Sequence, residues 1–411
     1  MQDTEKLKIV IVGHVDHGKS TLIGRLLFDT NSLPKDKLTE LERISNKMGK
    51  QMEFSFLLDH LQEEREQGIT IDTTQIFFKT ETREYVIIDA PGHVEFIRNM
   101  ITGAAQADAG VLIIDASEGI REQTMRHAFI LSLLRLDQII VVVNKMDLVD
   151  FDMDVYNNIL TDIQLKLKTL NLNIKDFIPI SAIQGDNISK KSTSMNWYQG
   201  PTFLEALNDI GIQAENEGQY PILPIQDVYK LGDKRIAVGR LETGRLAVGD
   251  SITLYPTLQE TRIRSIEKFL ENGEQAEAKE SIGVTTADPV FIERGSIICS
   301  ADAALQTVQK FNASIFVMTN TKLDIREKLV IKCATQEAVC EINKVFSKMN
   351  SATLEYINDE TKSLKGLEFG QVELITKKPI TVTEFNEAQT LGRFVIVKNN
   401  NICAGGIVTG I

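Results

Sequence analysis

A glycine-rich segment near the start of the chain has the residue types and spacing needed to bind phosphate. Gly13, Gly18, Lys19 and Ser20 fit the pattern G-x-x-x-x-G-K-S/T, between an apolar run and a helical one. In such a loop backbone N–H groups surround the phosphates, the lysine reaches the β- and γ-phosphates, and the hydroxyl supplies an oxygen to Mg²⁺. The predicted phosphate loop consists of Gly13, His14, Val15, Asp16, His17, Gly18, Lys19, Ser20 and Thr21.

A second motif distinguishes guanine from adenine. Asn144-Lys145-Met146-Asp147 ends an apolar run, and the carboxylate of Asp147 can accept from the ring N1–H and the exocyclic amine of guanine. Adenine has neither donor at those places and would leave the carboxylate buried and unpaired, which is costly. We therefore predict that Asn144, Lys145 and Asp147 bind the base, with Ser181 and Ala182 adding a backbone contact to its O6.

Residues that could sense the third phosphate lie between these two motifs. Asp89 begins the segment Asp-Ala-Pro-Gly-His, where it can hold Mg²⁺ through water while the Gly92 N–H meets the γ-phosphate. Thr70 is predicted to close over the same Mg²⁺, so that loss of the phosphate frees both loops. His93 stands where phosphoryl transfer needs a residue that positions water, and it is the predicted catalytic residue.

The hydrophobic pattern indicates which elements position these motifs. Up to about residue 212, apolar runs alternate with amphipathic stretches, as in a parallel sheet covered by helices on both faces. The predicted strands are 7–12, 85–88, 111–114, 139–143 and 177–180, and the predicted helices include 123–134 and 154–168. His60 and His127 are interpreted as ordinary helix residues.

The pattern changes after Pro221 and Pro224 to short alternating segments separated by turns, which indicates β-barrels. The predicted fold is an α/β P-loop domain with a mostly parallel, doubly wound sheet, followed by two antiparallel β-barrel domains. We place the domains at 1–215, 216–308 and 309–411.

Composition narrows the possible function classes. The 411 residues carry a net charge of −12, which argues against a broad basic surface for nucleic acid. No apolar run approaches the length of a membrane span, and we expect a cytoplasmic protein. The four cysteines lack metal-site spacing and are predicted to be buried free thiols: Cys299, Cys333, Cys340 and Cys403.

These motifs resemble those of the translational GTPases over nearly the whole chain. Asp16 in the phosphate loop, the Ile69-Thr70 pair, and His93 after Pro-Gly carry the resemblance. The resemblance implies that Val15 and Ile69 form a hydrophobic gate that holds His93 from its water until a partner binds. It also implies GTP or GDP with Mg²⁺ as ligands, and a monovalent cation beside Asp16 in some members.

Two branches of that superfamily share the long segment between Leu26 and Glu66, namely elongation factor 1-alpha and the large subunit of ATP sulfurylase. The stretches 24–30, 54–59, 147–152, 311–318 and 350–355 resemble the sulfurylase subunit. The stretches 14–17, 226–230 and 239–244 resemble the elongation factors. The acidic stretch 267–280 offers no basic track for RNA.

We therefore expect the regulatory GTPase subunit of ATP sulfurylase (sulfate adenylyltransferase). This subunit would couple GTP hydrolysis to adenylyl sulfate formation by a small catalytic partner subunit. The alternative is a GTPase like elongation factor 1-alpha or Tu that delivers aminoacyl-tRNA to the ribosome.

Overall fold

The computed structural model describes residues 6–33, 74–80, 82–89, 107–133, 135–136, 138–170, 172–211, 220–232, 234–268, 272–303, 305–318, 321–358 and 363–411. The chain separates into two compact units, with the main boundary after residue 212. No helix in these ranges is both long and apolar enough to cross a bilayer.

A six-stranded sheet forms the centre of the first unit. Its strands are β1 (Lys6–Gly13), β2 (Thr74–Lys79), β3 (Glu84–Asp89), β4 (Ala109–Asp115), β5 (Ile139–Asn144) and β6 (Ile174–Pro179). They are arranged in the order β2-β3-β1-β4-β5-β6, in which only β2 runs antiparallel to its neighbour. β4 and β5 are buried along their whole length, and their sequences are apolar up to the last residue of each strand, Asp115 in β4 and Asn144 in β5.

Among the residues that the structure describes, the helices of this unit are α1 (Lys19–Asp29), α2 (Glu122–Leu133), α3 (Met153–Leu167) and α4 (Phe203–Asn208). Short 3-10 turns cover Met146–Val149 and Lys168–Leu170. Local side chains define the helix starts: the Asp152 carboxylate accepts from the N–H groups of Asp154 and Val155 in α3, and Thr202 and Glu205 form a capping box on α4. Because β1, β4, β5 and β6 run parallel, their carboxyl ends lie at one edge of the sheet, where the phosphate loop, the Asn-Lys-Met-Asp segment and the Ser-Ala segment follow them.

The structure describes nine strands in the first barrel of the second unit. They are β7 (Ile222–Leu231), β8 (Lys234–Arg240), β9 (Arg245–Ala247), β10 (Ser251–Tyr255), β11 (Gln259–Glu267), β12 (Asn272–Gly273), β13 (Gln275–Glu277), β14 (Ser281–Thr286) and β15 (Ile297–Ser300). Seven of them form a sheet in the order β10-β15-β7-β8-β14-β11-β12, which curls so that β10 also pairs with β11. Inward-facing side chains such as Leu223, Ile252 and Ile282 form its core.

The second barrel is closed, which removes exposed sheet edges. Its elements are β16 (Gln306–Val317), β17 (Leu323–Asp324), β18 (Leu329–Cys333), β19 (Gln336–Asn350), β20 (Ser363–Leu364), β21 (Glu368–Val382), α5 (Gln389–Gly392), β22 (Arg393–Lys398) and β23 (Asn401–Gly410). The closed strand order is β16-β21-β19-β18-β22-β23, with β23 pairing back onto β16. The predicted fold class, an α/β domain followed by antiparallel barrels, is thus confirmed.

A small apolar cluster joins the two barrels. Side chains from the first barrel pack there against Ala388 and Leu391, beside which the Cys333 thiol lies 3.4 Å from the Leu391 carbonyl oxygen. The other members of the cluster are Ile222, Tyr255, Ile297, Cys299 and Ala303. All four cysteines are buried free thiols, as predicted. Burial raises the pKa of Cys333 and of Cys340 to about 12, so both remain unreactive thiols.

Candidate nucleotide-binding site

The segment between β1 and α1 folds into a tight loop that ends at the amino terminus of the helix. Asp16 and Gly18 both adopt left-handed backbone conformations, at φ values of 64° and 88°. The Lys19 ammonium bends back over the loop and donates to the carbonyl oxygens of Gly13 and His14, at 2.8 and 2.9 Å. A loop that leads into a helix amino terminus, with a lysine held across it, suits a phosphate chain.

The structure explains both glycines of the motif by close approach. A Cβ on Gly13 would lie 2.7 Å from the Ile113 carbonyl oxygen, on the neighbouring strand β4. A Cβ on Gly18 would lie 2.3 Å from the side-chain nitrogen of Asn144. Because Asn144 lies so close, the phosphate loop needs a glycine at position 18.

Asn144 connects three of the predicted motifs. Its buried side-chain amide donates to the His17 carbonyl oxygen at 2.9 Å, and its oxygen accepts from the Ala182 N–H at 3.0 Å. The phosphate loop, the Asn-Lys-Met-Asp segment and the Ser-Ala segment therefore meet at one side chain. The structure brings together these sequence-predicted residues, although they lie far apart along the chain.

Asp147 is oriented by the neighbouring segment. The Ser181 hydroxyl donates to one carboxylate oxygen of Asp147 at 2.6 Å, and it accepts from the Gln184 N–H at 3.2 Å. The Met146 N–H is also bonded to the Ile180 carbonyl oxygen, at 3.2 Å. A half-buried carboxylate in a fixed orientation can receive a pair of donors, such as those on the edge of guanine.

Lys145 binds a carboxylate that the sequence motifs did not identify. Its ammonium lies 2.7 Å from Asp115, a buried residue at the end of β4. Ser117 donates to the same carboxylate through its backbone N–H and its hydroxyl, at 2.8 and 2.6 Å. Burial alone would raise the pKa of Asp115, but the hydrogen bonds from Lys145 and Ser117 outweigh it and leave the pKa below its ordinary value. An acidic residue at the end of an otherwise apolar strand was the available sequence signal.

The histidines of the phosphate loop contact the segment that follows β4. His14 Nδ1 hydrogen-bonds with the Gln123 side-chain oxygen. His17 Nδ1 lies 3.3 Å from the Ile113 carbonyl oxygen, and its Nε2 lies 3.7 Å from Glu118. Burial lowers the pKa of His17, and the contacts with Ile113 and nearby carboxylates oppose only part of that shift. Glu118 and Gln123 thus support the loop, a role that sequence reasoning missed.

His127, interpreted from the sequence as an ordinary helix residue, lies in α2 and is buried. Burial lowers its pKa to about 3, and the charge of Lys19 acts in the same direction. The side chain is therefore neutral at physiological pH.

Several predicted residues lie outside what the structure describes. These are Thr70, Gly92 and the catalytic candidate His93, together with Ile69 of the expected gate. Val15, the other gate residue, is 43% exposed, and Ser20 and Thr21 lie half-buried in the first turn of α1. Asp89 ends β3 at the edge where the motifs meet. Within the described ranges, no group of three or more His, Cys, Asp or Glu side chains could hold a metal ion.

Comparison with known proteins covers the whole chain. Residues 4–217 match the family model of the elongation factor Tu GTP binding domain, 234–299 match elongation factor Tu domain 2, and 310–409 match the GTP-eEF1A C-terminal domain-like family. Elongation factor 1-alpha of Methanopyrus kandleri is 38% identical over 426 residues, covering 100% of this chain and 99% of the relative. That of Natronomonas pharaonis is 35% identical over 418 residues, with the same coverage.

Among solved structures, sup35 complexed with GMPPNP shares 24% identity, covers 99% of this chain and 94% of that chain, and has a TM-score of 0.45. This similarity is too low to support an argument.

The expectation of an ATP sulfurylase GTPase subunit with a small catalytic partner subunit is wrong. The full-length relatives at 35–38% identity carry the name elongation factor 1-alpha. Two of the stretches that favoured the sulfurylase, 24–30 and 311–318, belong to the structural framework. Residues 24–30 lie in α1 and its cap, with Leu26 and Leu27 buried, and 311–318 form a buried strand segment. Packing and capping determine such residues, so they say little about a partner. The stretch 54–59 lies outside the described residues.

GTP or GDP with Mg²⁺, the predicted ligands, agree with the match to the GTP binding domain, and the loop from Gly13 to Ser20 fits them. When bound, the metal supplies charge neutralisation at the phosphates, for which the Ser20 hydroxyl is a suitable hard oxygen donor. The predicted GTPase activity has the same support. The chain belongs to the elongation factor Tu and elongation factor 1-alpha family of translational GTPases.

Proposed function

We propose that this chain is a GTP-hydrolysing carrier that delivers aminoacyl-tRNA to the ribosome. The observation that carries the proposal is the similarity to relatives named elongation factor 1-alpha across both barrels as well as the nucleotide domain. The joining of phosphate loop and base-binding motif by Asn144 supports the nucleotide-dependent part. We also propose the domain boundaries 1–215, 216–308 and 309–411.

At the nucleotide site, each predicted residue has a proposed task. Lys19 neutralises the β- and γ-phosphates, and Ser20, Thr70 and Asp89 hold the metal directly or through water. Asp147 accepts the two guanine N–H groups while Ser181 fixes its orientation. Loop residues 13–18 and 21 surround the phosphates. Asn144 and Lys145 shape the base pocket, and Ala182 contacts guanine O6.

GTP hydrolysis requires a water molecule held in position to attack the γ-phosphate and groups that stabilise the charge of the transition state. We propose that His93 positions the water. The Gly92 N–H senses the γ-phosphate, so that the GTP and GDP forms differ in the switch loops and therefore in affinity for a third molecule.

The barrels also offer local features suited to RNA despite the net negative charge. The Arg235 guanidinium lies 6.0 Å from the Phe291 ring centroid, on a face of the first barrel where both side chains are exposed. In the second barrel the Lys344 ammonium lies 5.0 Å from the ring centroid of the exposed Phe346. An exposed aromatic ring can stack on a base while the cation beside it neutralises a phosphate.

Protection of the aminoacyl ester tests the proposal. The purified chain loaded with GTP is mixed with aminoacyl-tRNA, and spontaneous ester hydrolysis is followed over time. We expect the GTP form to slow hydrolysis in a concentration-dependent manner and the GDP form to protect much less. Equal hydrolysis rates with the GTP form, the GDP form and no protein would contradict the carrier function.

A further inference from the structure

A buried carboxylate links the end of β4 to the Asn-Lys-Met-Asp segment, the predicted base-binding motif. Asp115 is 1% exposed, and its carboxylate receives the Lys145 ammonium at 2.7 Å. In the sheet Asp115 is the register partner of Asn144, and the next residue, Ala116, donates its N–H to the Asn144 carbonyl oxygen at 2.8 Å. The end of β4 thus holds the motif through both a main-chain bond and an ion pair.

Lys145 has a backbone conformation that needs such support. It lies in the left-handed region at φ 63° and ψ 34°, a conformation that is unfavourable for a residue with a Cβ. Conformations of this kind persist where the surroundings hold them. The ion pair with Asp115 holds the side chain of Lys145 on one side of the motif, and the Met146 N–H is bonded to Ile180 on the other.

The backbone at Lys145 determines where the Asp147 carboxylate points. Asp147 follows two residues later in the 3-10 turn Met146–Val149, and its orientation is completed by the Ser181 hydroxyl at 2.6 Å. A rotation at Lys145 would displace this turn relative to Ser181. A displaced carboxylate could still meet one guanine donor but would lose the alignment needed for two.

We propose that Asp115 is a specificity-determining positioning residue, which holds Lys145 in its left-handed conformation and thereby aligns Asp147 with both N–H donors of guanine. The inference rests on the proposed function, because it takes this site to be the guanine site. The lowered pKa of Asp115 keeps the carboxylate ionised at neutral pH, so the ion pair is present under working conditions.

The test compares GDP with inosine diphosphate, which lacks the exocyclic amine and so offers Asp147 a single donor. Asp115→Asn keeps the side-chain shape and removes the charge. We expect GDP affinity to fall about tenfold and inosine diphosphate affinity to fall much less, so the ratio of the two moves toward one. Asp162→Asn is the matched control, since Asp162 pairs with Lys166 at 2.9 Å on the exposed face of α3. It should leave both affinities unchanged.

A double-mutant cycle identifies the route of the effect. If Asp115 acts through Lys145, Asp115→Asn adds no further loss in a Lys145→Gln background. Ser117→Ala, which removes one hydrogen bond to the same carboxylate, should change the ratio in the same direction by less. An unchanged ratio of GDP affinity to inosine diphosphate affinity, with or without an equal loss of both, would overturn the inference. Additive losses of GDP affinity in the double-mutant cycle would also overturn it. Failure of the wild-type chain to prefer GDP over ADP would instead refute the proposed guanine site.

Discussion

Gly18 and Asn144 fill adjoining space, since a methyl group on Gly18 would lie 2.3 Å from the Asn144 side-chain nitrogen. Gly18→Ala should therefore displace the amide and also strain a backbone at φ 88°. We expect GDP affinity to fall more than tenfold, measured by titration with a fluorescent nucleotide. Gly249→Ala is the control, because Gly249 has φ 94° but nothing within 4 Å of the added Cβ. Similar losses of GDP affinity in both variants would refute the role of the clash.

Removing the Asn144 amide should disconnect the phosphate loop from the Ser-Ala segment, because this side chain bonds to both. Asn144→Ala leaves the buried His17 carbonyl oxygen and the Ala182 N–H without this partner, at about 1–3 kcal/mol each. Nucleotide affinity and thermal stability should both fall. Asn187→Ala removes a comparably buried amide, which donates to Pro179 and accepts from Ser192. It should lower stability only, and isothermal titration of both variants distinguishes the two effects.

Reversing the donor and acceptor at position 147 should change the preferred base. Asp147→Asn is expected to weaken GDP binding by about 10²-fold and to favour xanthine diphosphate, whose N1–C2 edge presents an acceptor in place of the amine. Competition between the two nucleotides measures the change. Asp150→Asn, an exposed change at φ 52° in the same segment, should leave the preference for guanine intact. A GDP preference retained by Asp147→Asn would remove Asp147 from base recognition.

His93→Ala should reduce the stimulated rate of GTP hydrolysis by about 10² to 10⁴ while nucleotide binding survives. The reason is that a water-orienting group acts in the transition state and adds little to ground-state affinity. Single-turnover measurement with and without ribosomes checks the result. An unchanged stimulated rate would leave His93 with a structural role.

Acidification should destabilise the first unit through His127. Its folded pKa of about 3 is below the unfolded value of 6.5, so the unfolded chain binds the proton first. Stability is therefore present above pH 6.5 and lost as the pH falls toward 3, by about 1.4 kcal/mol per pH unit from this residue. His127→Gln should flatten that slope.

Urea unfolding followed by the fluorescence of Trp197, the single tryptophan, reports on the first unit. If the free energy of unfolding depended on pH equally in wild type and in His127→Gln between pH 7 and 5, the contribution of His127 would be contradicted.

The sequence predicted the parallel sheet well because strands buried on both faces are apolar throughout. It did not indicate the long strands β19 and β21, because irregular pairing interrupts the alternation of exposed and buried residues near Ile342 and Val345 in β19 and between Ile375 and Ile380 in β21. It also missed Asp115. Its partner Lys145 lies in a separate motif, and only the parallel register between β4 and β5 brings the two together. The choice between branches of the superfamily failed because stretches on which it relied, such as 24–30 and 311–318, serve packing and capping.

The closed barrel in the second unit has a consequence for how the chain is made. Its closing seam joins β16 to β23, so Phe316 pairs with Gly405. During synthesis β16 leaves the ribosome long before its partner strand exists, and until then it presents an unpaired edge rich in apolar side chains. A long sequence separation between paired strands also slows folding. The nascent protein therefore passes through an interval in which a chaperone, or slow translation near the carboxyl terminus, would affect its yield.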